Sequence, residues 1–353
     1  MLKKQKRGVG DEYLYYNFRM VNNSNSSKVA QIYENLAAPL LEDGIDYFVS
    51  CIRFVLDGAE IPIFNFIDGA YHVVLSYFDP ITSTTHDYDE VVLYDNNDND
   101  FGINAVYSYT AFLEMINAAY ALAWTALVGD FPALTGGPPY MVYVPATGLC
   151  PIFAPITYVT SGIKIFMNSR LFNFFGNFYR KFYGEGLASF KDYEILVRDL
   201  HSTNTNTSNI FIPAGYYMMN QEFNSLYSWF DITGITFLSN TLGIKSEFVP
   251  NSNTTNQLST NNAAGAGSNV SPILTDFQPY YAIGDSAGPR GYLYYTPSSP
   301  WRMINVTKDK IISMDLTILL TDRVGNQFPY YIPPNQSVSV KLAFVKRTEL
   351  YKE

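Results

Sequence analysis

At 353 residues the chain is too long for a small stapled scaffold and suits two ordinary domains or one elaborated β-rich one. Hydrophobic residues make up 47% and charged residues only 16%, which excludes a disordered or coiled-coil protein; 29 Tyr, 25 Phe and 3 Trp bring the aromatics to 16% as well, a bias toward sheets and large buried contacts. A net charge of −9 excludes a general nucleic-acid binder that works by bulk electrostatics.

The first residues are the local exception to that acidity. Lys3, Lys4, Lys6 and Arg7 fall in the opening MLKKQKR, and residues 1–10 are read as a basic flexible tail. Such a tail is either simply solvated or an arm that touches phosphates inside an assembly. Asp11, Glu12 and a polar stretch follow with no apolar core, so no secretory signal is expected. Residues 27–43 are mixed in character and interrupted by Pro39. Strand signals then dominate: the run 47–56 ends at the turn pair Asp57-Gly58, 61–66 ends near Asp68-Gly69, and 71–77 and 90–94 continue the pattern.

One helix interrupts the strands. Over 110–127, Phe112, Leu113, Ile116, Tyr120, Ala123, Trp124 and Leu127 share a face, with Ser108 and Thr110 as candidate caps and Gly129 as the expected end. The apolar block 118–128 within it is roughly half of what a bilayer span needs, so no membrane span is expected. Residues 140–144 and 163–167 read as strands, with Gly136-Gly137-Pro138-Pro139 as a break before them. Residues 169–183, with Phe clusters around Gly176, fit either a helix or a turn-rich aromatic segment.

From Lys191 onward strands and loops alternate: Tyr193, Ile195 and Val197 form one period-two set, and 235–238, 273–283 and 292–295 follow. The clearest strands come last. Ile312, Met314, Leu316, Ile318 and Leu320 alternate with Ser313, Asp315 and Thr317, and beyond the Gly325-Asn326 turn and the Pro333-Pro334 corner, Val338, Val340, Leu342 and Phe344 alternate with Ser337, Ser339 and Lys341. Each should turn one face to a core. Residues 251–271 form an uncharged Asn/Ser/Thr/Gly/Ala run too polar to pack, read as a surface loop. A boundary between two β-rich halves is placed near 184–192.

Chemistry-bearing patterns are sparse. His72, His86 and His201 show none of the spacings of a metal hydrolase, and the chain has no GxSxG, no phosphate-binding lysine loop and no GxGxxG after a strand. Cys51 and Cys150 lie far apart without CxxC companions, so buried free thiols are expected in place of a zinc site or disulfide framework. Asp87, Asp89, Glu90, Asp95, Asp98 and Asp100 form an acidic cluster. Within it Asp95, Asp98 and Asp100 offer hard oxygen ligands for a weak calcium turn, but the glycine and final glutamate of an EF-hand loop are missing, and a solvated turn is the preferred reading. No cofactor and no catalytic residue is expected. Carboxylates paired for glycoside hydrolysis would be a property of the fold, and nothing in the sequence singles out such a pair.

Three stretches carry a resemblance. Asp46-Tyr47-Phe48-Val49-Ser50-Cys51-Ile52-Arg53-Phe54 running on to Ile61-Pro62-Ile63, the Tyr107-Ser108-Tyr109 approach to the helix, and the closing segments 294–302, Gly325-Asn326 and 338–347 together resemble the jelly-roll structural proteins of small eukaryotic DNA viruses, including virophage-like and Polinton-like coat proteins. The resemblance implies an all-β jelly-roll sandwich with one or two inserted helices. Two jelly rolls are favoured, at 11–188 and 189–353, as in trimeric double-barrel coat proteins; the alternative is a penton or minor subunit with one jelly roll carrying large insertions. It also implies no enzyme, a virion protein made in the host cytoplasm or nucleus, a homo-oligomer (a trimer) among other capsid proteins, and an arm at Lys3, Lys4, Lys6 and Arg7 that faces the packaged genome or an inner layer. A rival from another class is a β-sandwich glycan-binding adhesin that uses exposed Tyr and Trp301 as stacking platforms.

Overall fold

The computed structural model of the chain describes residues 13–58, 61–95, 104–198, 211–244, 247–249, 269–278, 292–295, 304–306, 310–323 and 327–346. These fall into two compact units. One joins the residues up to Pro62 with those from Asp231 onward, and the other is the continuous stretch 63–230.

The first unit is an antiparallel sandwich closed from both ends of the chain. In one sheet the apolar run Tyr47–Asp57 lies between Ser337–Lys346 and Tyr292–Tyr295, and Tyr13–Val21 pairs with the outer side of Ser337–Lys346. Ile304–Asn305 also pairs with Tyr47–Asp57. The second sheet runs Ile273–Phe277, Ile232–Leu238, Ser313–Asp322, Gln327–Pro329, with Gln31–Asn35 along the start of Ser313–Asp322. The period-two pattern of the last long strand is realised at Val338, Val340 and Leu342, which are buried while Ser337, Ser339 and Lys341 are half-exposed. The two inner faces meet through rings: Phe54 packs against Phe237 at 4.8 Å and Phe277 at 4.6 Å between centroids.

The 63–230 unit is built on a five-stranded antiparallel sheet in the order Arg180–Phe182, Tyr193–Ile195, Ile163–Met167, His72–Asp79, Thr84–Val91. A three-stranded sheet, Tyr216–Met219, Ile152–Pro155 and Tyr140–Met141, accompanies it. The helix Tyr109–Asp130 packs against His72–Asp79 and Thr84–Val91. Ser108 caps it by accepting from the Ala111 N–H, as its residue type dictates, and the helix runs one residue beyond Gly129. Its 22 apolar-rich residues are long enough to cross a bilayer, more than the apolar block alone suggested, but nine of them, Phe112, Ile116, Tyr120 and Leu127 included, are buried within the fold, as in the core helix of a globular protein. Trp229 anchors the aromatic core, with Tyr109, Phe112, Phe174 and Phe175 at 5.3–5.4 Å and mostly edge-on, and its indole N–H donates to the Phe174 carbonyl at 2.6 Å.

Several expectations take a different form. Residues 169–183 are both helix and strand: Ser169–Phe175 is capped by the Asn168 side chain and stopped by Gly176 at φ +59°, and Arg180–Phe182 follows as a strand. The units are not the sequential halves 11–188 and 189–353. The stretch 184–192 connects two strands of one sheet, Phe182 facing Tyr193 in register, so the chain does not divide there. The physical reason is that the first and last long strands pair with each other, and the middle of the chain folds as a separate body between them. Of the expected loop 251–271, residues 269–271 form a short strand paired with Glu247–Val249, and 251–268 lie outside the described residues. The 1–10 tail also lies outside them.

Candidate functional site

The polar residues singled out from sequence are drawn into separate local pairs. Asp87 accepts from Ser76 Oγ at 2.6 Å and pairs with Lys191 Nζ at 2.6 Å, while Asp89 meets His72 Nδ1 at 2.9 Å. The His72 ring stacks flat on Phe190 at 3.6 Å, and His86 lies edge-on to Phe131 and beside Thr84 Oγ1. Tyr88 donates to Asp130; burial first, and then this carboxylate, push its phenol up to about 12. Asp95 is exposed at the end of this stretch, and Asp98, Asp100 and His201 lie outside the described residues, as do Lys3, Lys4, Lys6 and Arg7. Among the described residues no group of three or more His, Cys, Asp or Glu is placed to hold a metal ion. Cys51 and Cys150 are free and buried, and burial raises both thiols to about 12.

The structure assembles one concave site that the sequence reading missed. Strand alternation sends Tyr77, His86 and Tyr88 toward the helix side of the five-stranded sheet, where they meet Phe131 and Asp130. Ser76, Phe78, Thr85 and Asp87 therefore face the other way. There a cavity of about 480 Å³ opens, floored by Ser76, Phe78, Lys164 and Phe166. Register sets these side chains side by side, with Ser76 between Lys164 and Asp87, Thr85 opposite Phe78, and Phe166 opposite Glu194. Lys164 Nζ stands 3.5 Å from the Glu194 carboxylate, which also accepts from the Tyr183 hydroxyl.

The connection between Phe182 and Tyr193 supplies the wall, through Tyr183, Leu187 and Lys191. Its shape is held by Asp192, a buried carboxylate that accepts from Ser169 N at 2.8 Å, Ser169 Oγ at 2.6 Å, Leu187 N at 3.0 Å and Gly186 N at 3.2 Å. Burial alone would raise this carboxyl, but the hydrogen bonds from Ser169, Leu187 and Gly186 outweigh it and hold it below the usual carboxylate range. No motif announces this cavity, because its members come from four chain segments up to a hundred or so positions apart; the polar Ser76 within the apolar run of the His72–Asp79 strand was its local trace.

The two-sheet antiparallel sandwich has the architecture of the viral jelly-roll class. The model of the family described as Sputnik minor capsid protein V18/19 matches residues 71–346, and the chain belongs to that family. Structural protein V19 of Sputnik virophage is 30% identical over 194 residues, spanning 54% of this chain and 84% of that protein. A chain of the cryo-EM structure of the Sputnik virophage superimposes with a TM-score of 0.70 at 24% identity, covering 96% of this chain and 99% of that one. The crystal structure of the mavirus penton protein superimposes with a TM-score of 0.64 at 15% identity, covering 95% and 99%. The protein is a capsid structural protein and its place is the virion.

Proposed function

We propose that this chain is a minor shell subunit of the vertex type: one jelly-roll unit, assembled from both ends of the chain, carries the residues 63–230 as an inserted module. The observation that carries this reading is the interleaving of the two units. A double-barrel coat subunit would place two jelly rolls one after the other, whereas here Tyr13–Val21 pairs along its whole length with Ser337–Lys346 and the intervening 63–230 stretch has its own aromatic core. The family description and the likeness to a penton protein support it further. On this reading the subunit forms a homo-oligomer of five, in place of the trimer of a double-barrel coat, and meets other capsid proteins around it. The decisive experiment is a cryo-EM reconstruction of particles that contain the chain. Density for it at the five-fold vertices is expected, and density in trimeric arrays across the faces would overturn the reading. Light scattering on the purified chain gives a second reading: five times, not three times, its 39.8 kDa.

The basic start is assigned to the packaged genome. Its support is charge: Lys3, Lys4, Lys6 and Arg7 concentrate four cationic side chains in a chain of net charge −9, and a polyanion is their natural partner. Deleting residues 1–10 should lower the nucleic-acid content of particles. Unchanged genome content and particle yield would remove this role.

A further inference from the structure

The cavity on the five-stranded sheet lies wholly within the 63–230 unit, and its chemistry suits one class of ligand. We propose that it binds a neutral saccharide, whose apolar face lies on Phe78 and whose hydroxyls bond to the paired charges Lys191–Asp87 and Lys164–Glu194. At about 480 Å³ it falls within the range of small-ligand sites and has room for one or two sugar rings.

The lining decides the ligand class. Phe78 is 50% exposed near the end of a strand whose other side chains are buried or nearly so, leaving an aromatic ring open to the cavity. The electron-rich ring face attracts the polarised C–H face of a pyranose. Around it stand two ammonium groups, each already matched by a carboxylate: Lys191 with Asp87 at 2.6 Å, and Lys164 with Glu194 at 3.5 Å. These four groups sum to no net charge, and Lys181, 4.6 Å from the Tyr183 ring, adds a single ammonium group at the wall, whose pull on anions is measured by the anionic comparators in the test. What the four paired groups offer is fixed acceptors beside fixed donors. A vicinal diol needs that arrangement, one hydroxyl donating to a carboxylate oxygen while its neighbour accepts from an ammonium group. A lysine ammonium has three N–H donors, and Lys164 is half-exposed on the cavity side, so pairing leaves it capacity for a ligand.

The site is also held in shape before any ligand arrives. Asp192 ties Gly186 and Leu187 to the start of the Ser169–Phe175 helix, and the Tyr183 hydroxyl is bound to Glu194, so the wall does not have to be ordered on binding.

The test uses the purified full chain, with saturation-transfer NMR and calorimetric titration against the methyl glycosides of galactose, glucose, mannose and N-acetylglucosamine. Sialyllactose and a heparin oligosaccharide serve as anionic comparators. At least one neutral glycoside should bind saturably, with affinity unchanged between about 50 and 500 mM salt. Phe78→Ala and Lys164→Met should each weaken it by about tenfold or more, whereas Ile81→Ser, at a 92% exposed turn position outside the cavity, should leave it unchanged. Phe78 and Lys164 are both half-exposed, so their variants should fold, which unchanged melting curves will show. The proposal is overturned if no neutral glycoside binds at tens of millimolar, if only the anionic comparators bind with steep salt dependence, or if Phe78→Ala keeps full affinity. Because the readout is on the isolated chain, failure here leaves the vertex assignment standing, and the reverse also holds.

Discussion

Replacing Asp315 by Asn tests what fastens the second sheet of the sandwich to the turn that follows Ile232–Leu238. Asp315 sits on Ser313–Asp322, only 7% exposed. Its Oδ1 accepts from Ser239 Oγ at 2.8 Å, Thr241 N at 2.8 Å and Thr241 Oγ1 at 2.7 Å, and its Oδ2 accepts from Asn240 N at 3.1 Å and Asn240 Nδ2 at 3.2 Å. An asparagine of the same shape can keep its oxygen on the Oδ1 side, but its NH2 then faces two donors. Hydrogen bonds to a charged group are worth about 1.5–3 kcal/mol each, yet bonds that share one carboxylate do not add. Breaking a buried charged network from one side typically costs about 3–5 kcal/mol, and the low end applies because one set of bonds survives. Asp315→Asn should therefore cost about 3 kcal/mol in urea unfolding at pH 7. The pH dependence sharpens the test. Burial by itself would raise the Asp315 carboxyl, but the bonds from Thr241, Asn240 and Ser239 outweigh it and leave the folded value below the ordinary one. A depressed folded value means the stabilisation is fully present above the unfolded pKa of about 3.9 and disappears as pH falls through the lower folded value. The gap between wild type and variant should thus be constant from pH 5 to 7 and narrow below about pH 4. A loss under about 0.5 kcal/mol at pH 7, or a gap that widens in acid, would refute the reasoning.

Three further outcomes follow from the same geometry. Cys51 and Cys150, buried and with thiols raised to about 12, should resist a thiol reagent at pH 8 in the folded chain and both react once it is unfolded in guanidinium; rapid labelling of either in the native state would contradict their burial. Phe112→Ala removes a fully buried ring that touches Phe64, Phe174 and Trp229, and should cost about 3–5 kcal/mol with a loss of near-ultraviolet aromatic circular dichroism; a cost below 1 kcal/mol would mean that this core is not close-packed. Ser108→Ala should cost only about 0.5 kcal/mol, because the cap bond to Ala111 N is long at 3.4 Å, and a midpoint shift larger than that of Phe112→Ala would show that the cap does more than the distance implies.

Much of the local structure was legible in the residues. Tyr47–Asp57, Ser337–Lys346 and Tyr292–Tyr295 stand where apolar runs and alternation put them, and the helix Tyr109–Asp130 has the buried face its spacing required apart from Trp124, which is half-exposed against Tyr158. Asp315 shows where pattern reading stops. Alternation put it with Ser313 and Thr317 on the polar face, yet it is buried, because the turn 239–241 folds over it and replaces water with five hydrogen bonds. The acidic cluster misled in the opposite way. Asp87 and Asp89 are two apart on one strand and share a face, but Lys191 and His72 claim one each, and neither partner lies close by in the sequence.

What the sequence determined by itself was the class: an apolar, aromatic, strand-rich chain with few charges, no catalytic motif and two inert thiols, resembling viral coat proteins. Only the tertiary structure decided how the strands are shared. It paired the first long strand with the last, made 63–230 a unit of its own, and set Phe78, Lys164 and Lys191 around one cavity. The reason is that period-two hydrophobicity states which face of a strand is buried but carries no record of its partner. Partners are chosen by the burial and backbone pairing available once distant segments meet, and here those segments are more than three hundred residues apart.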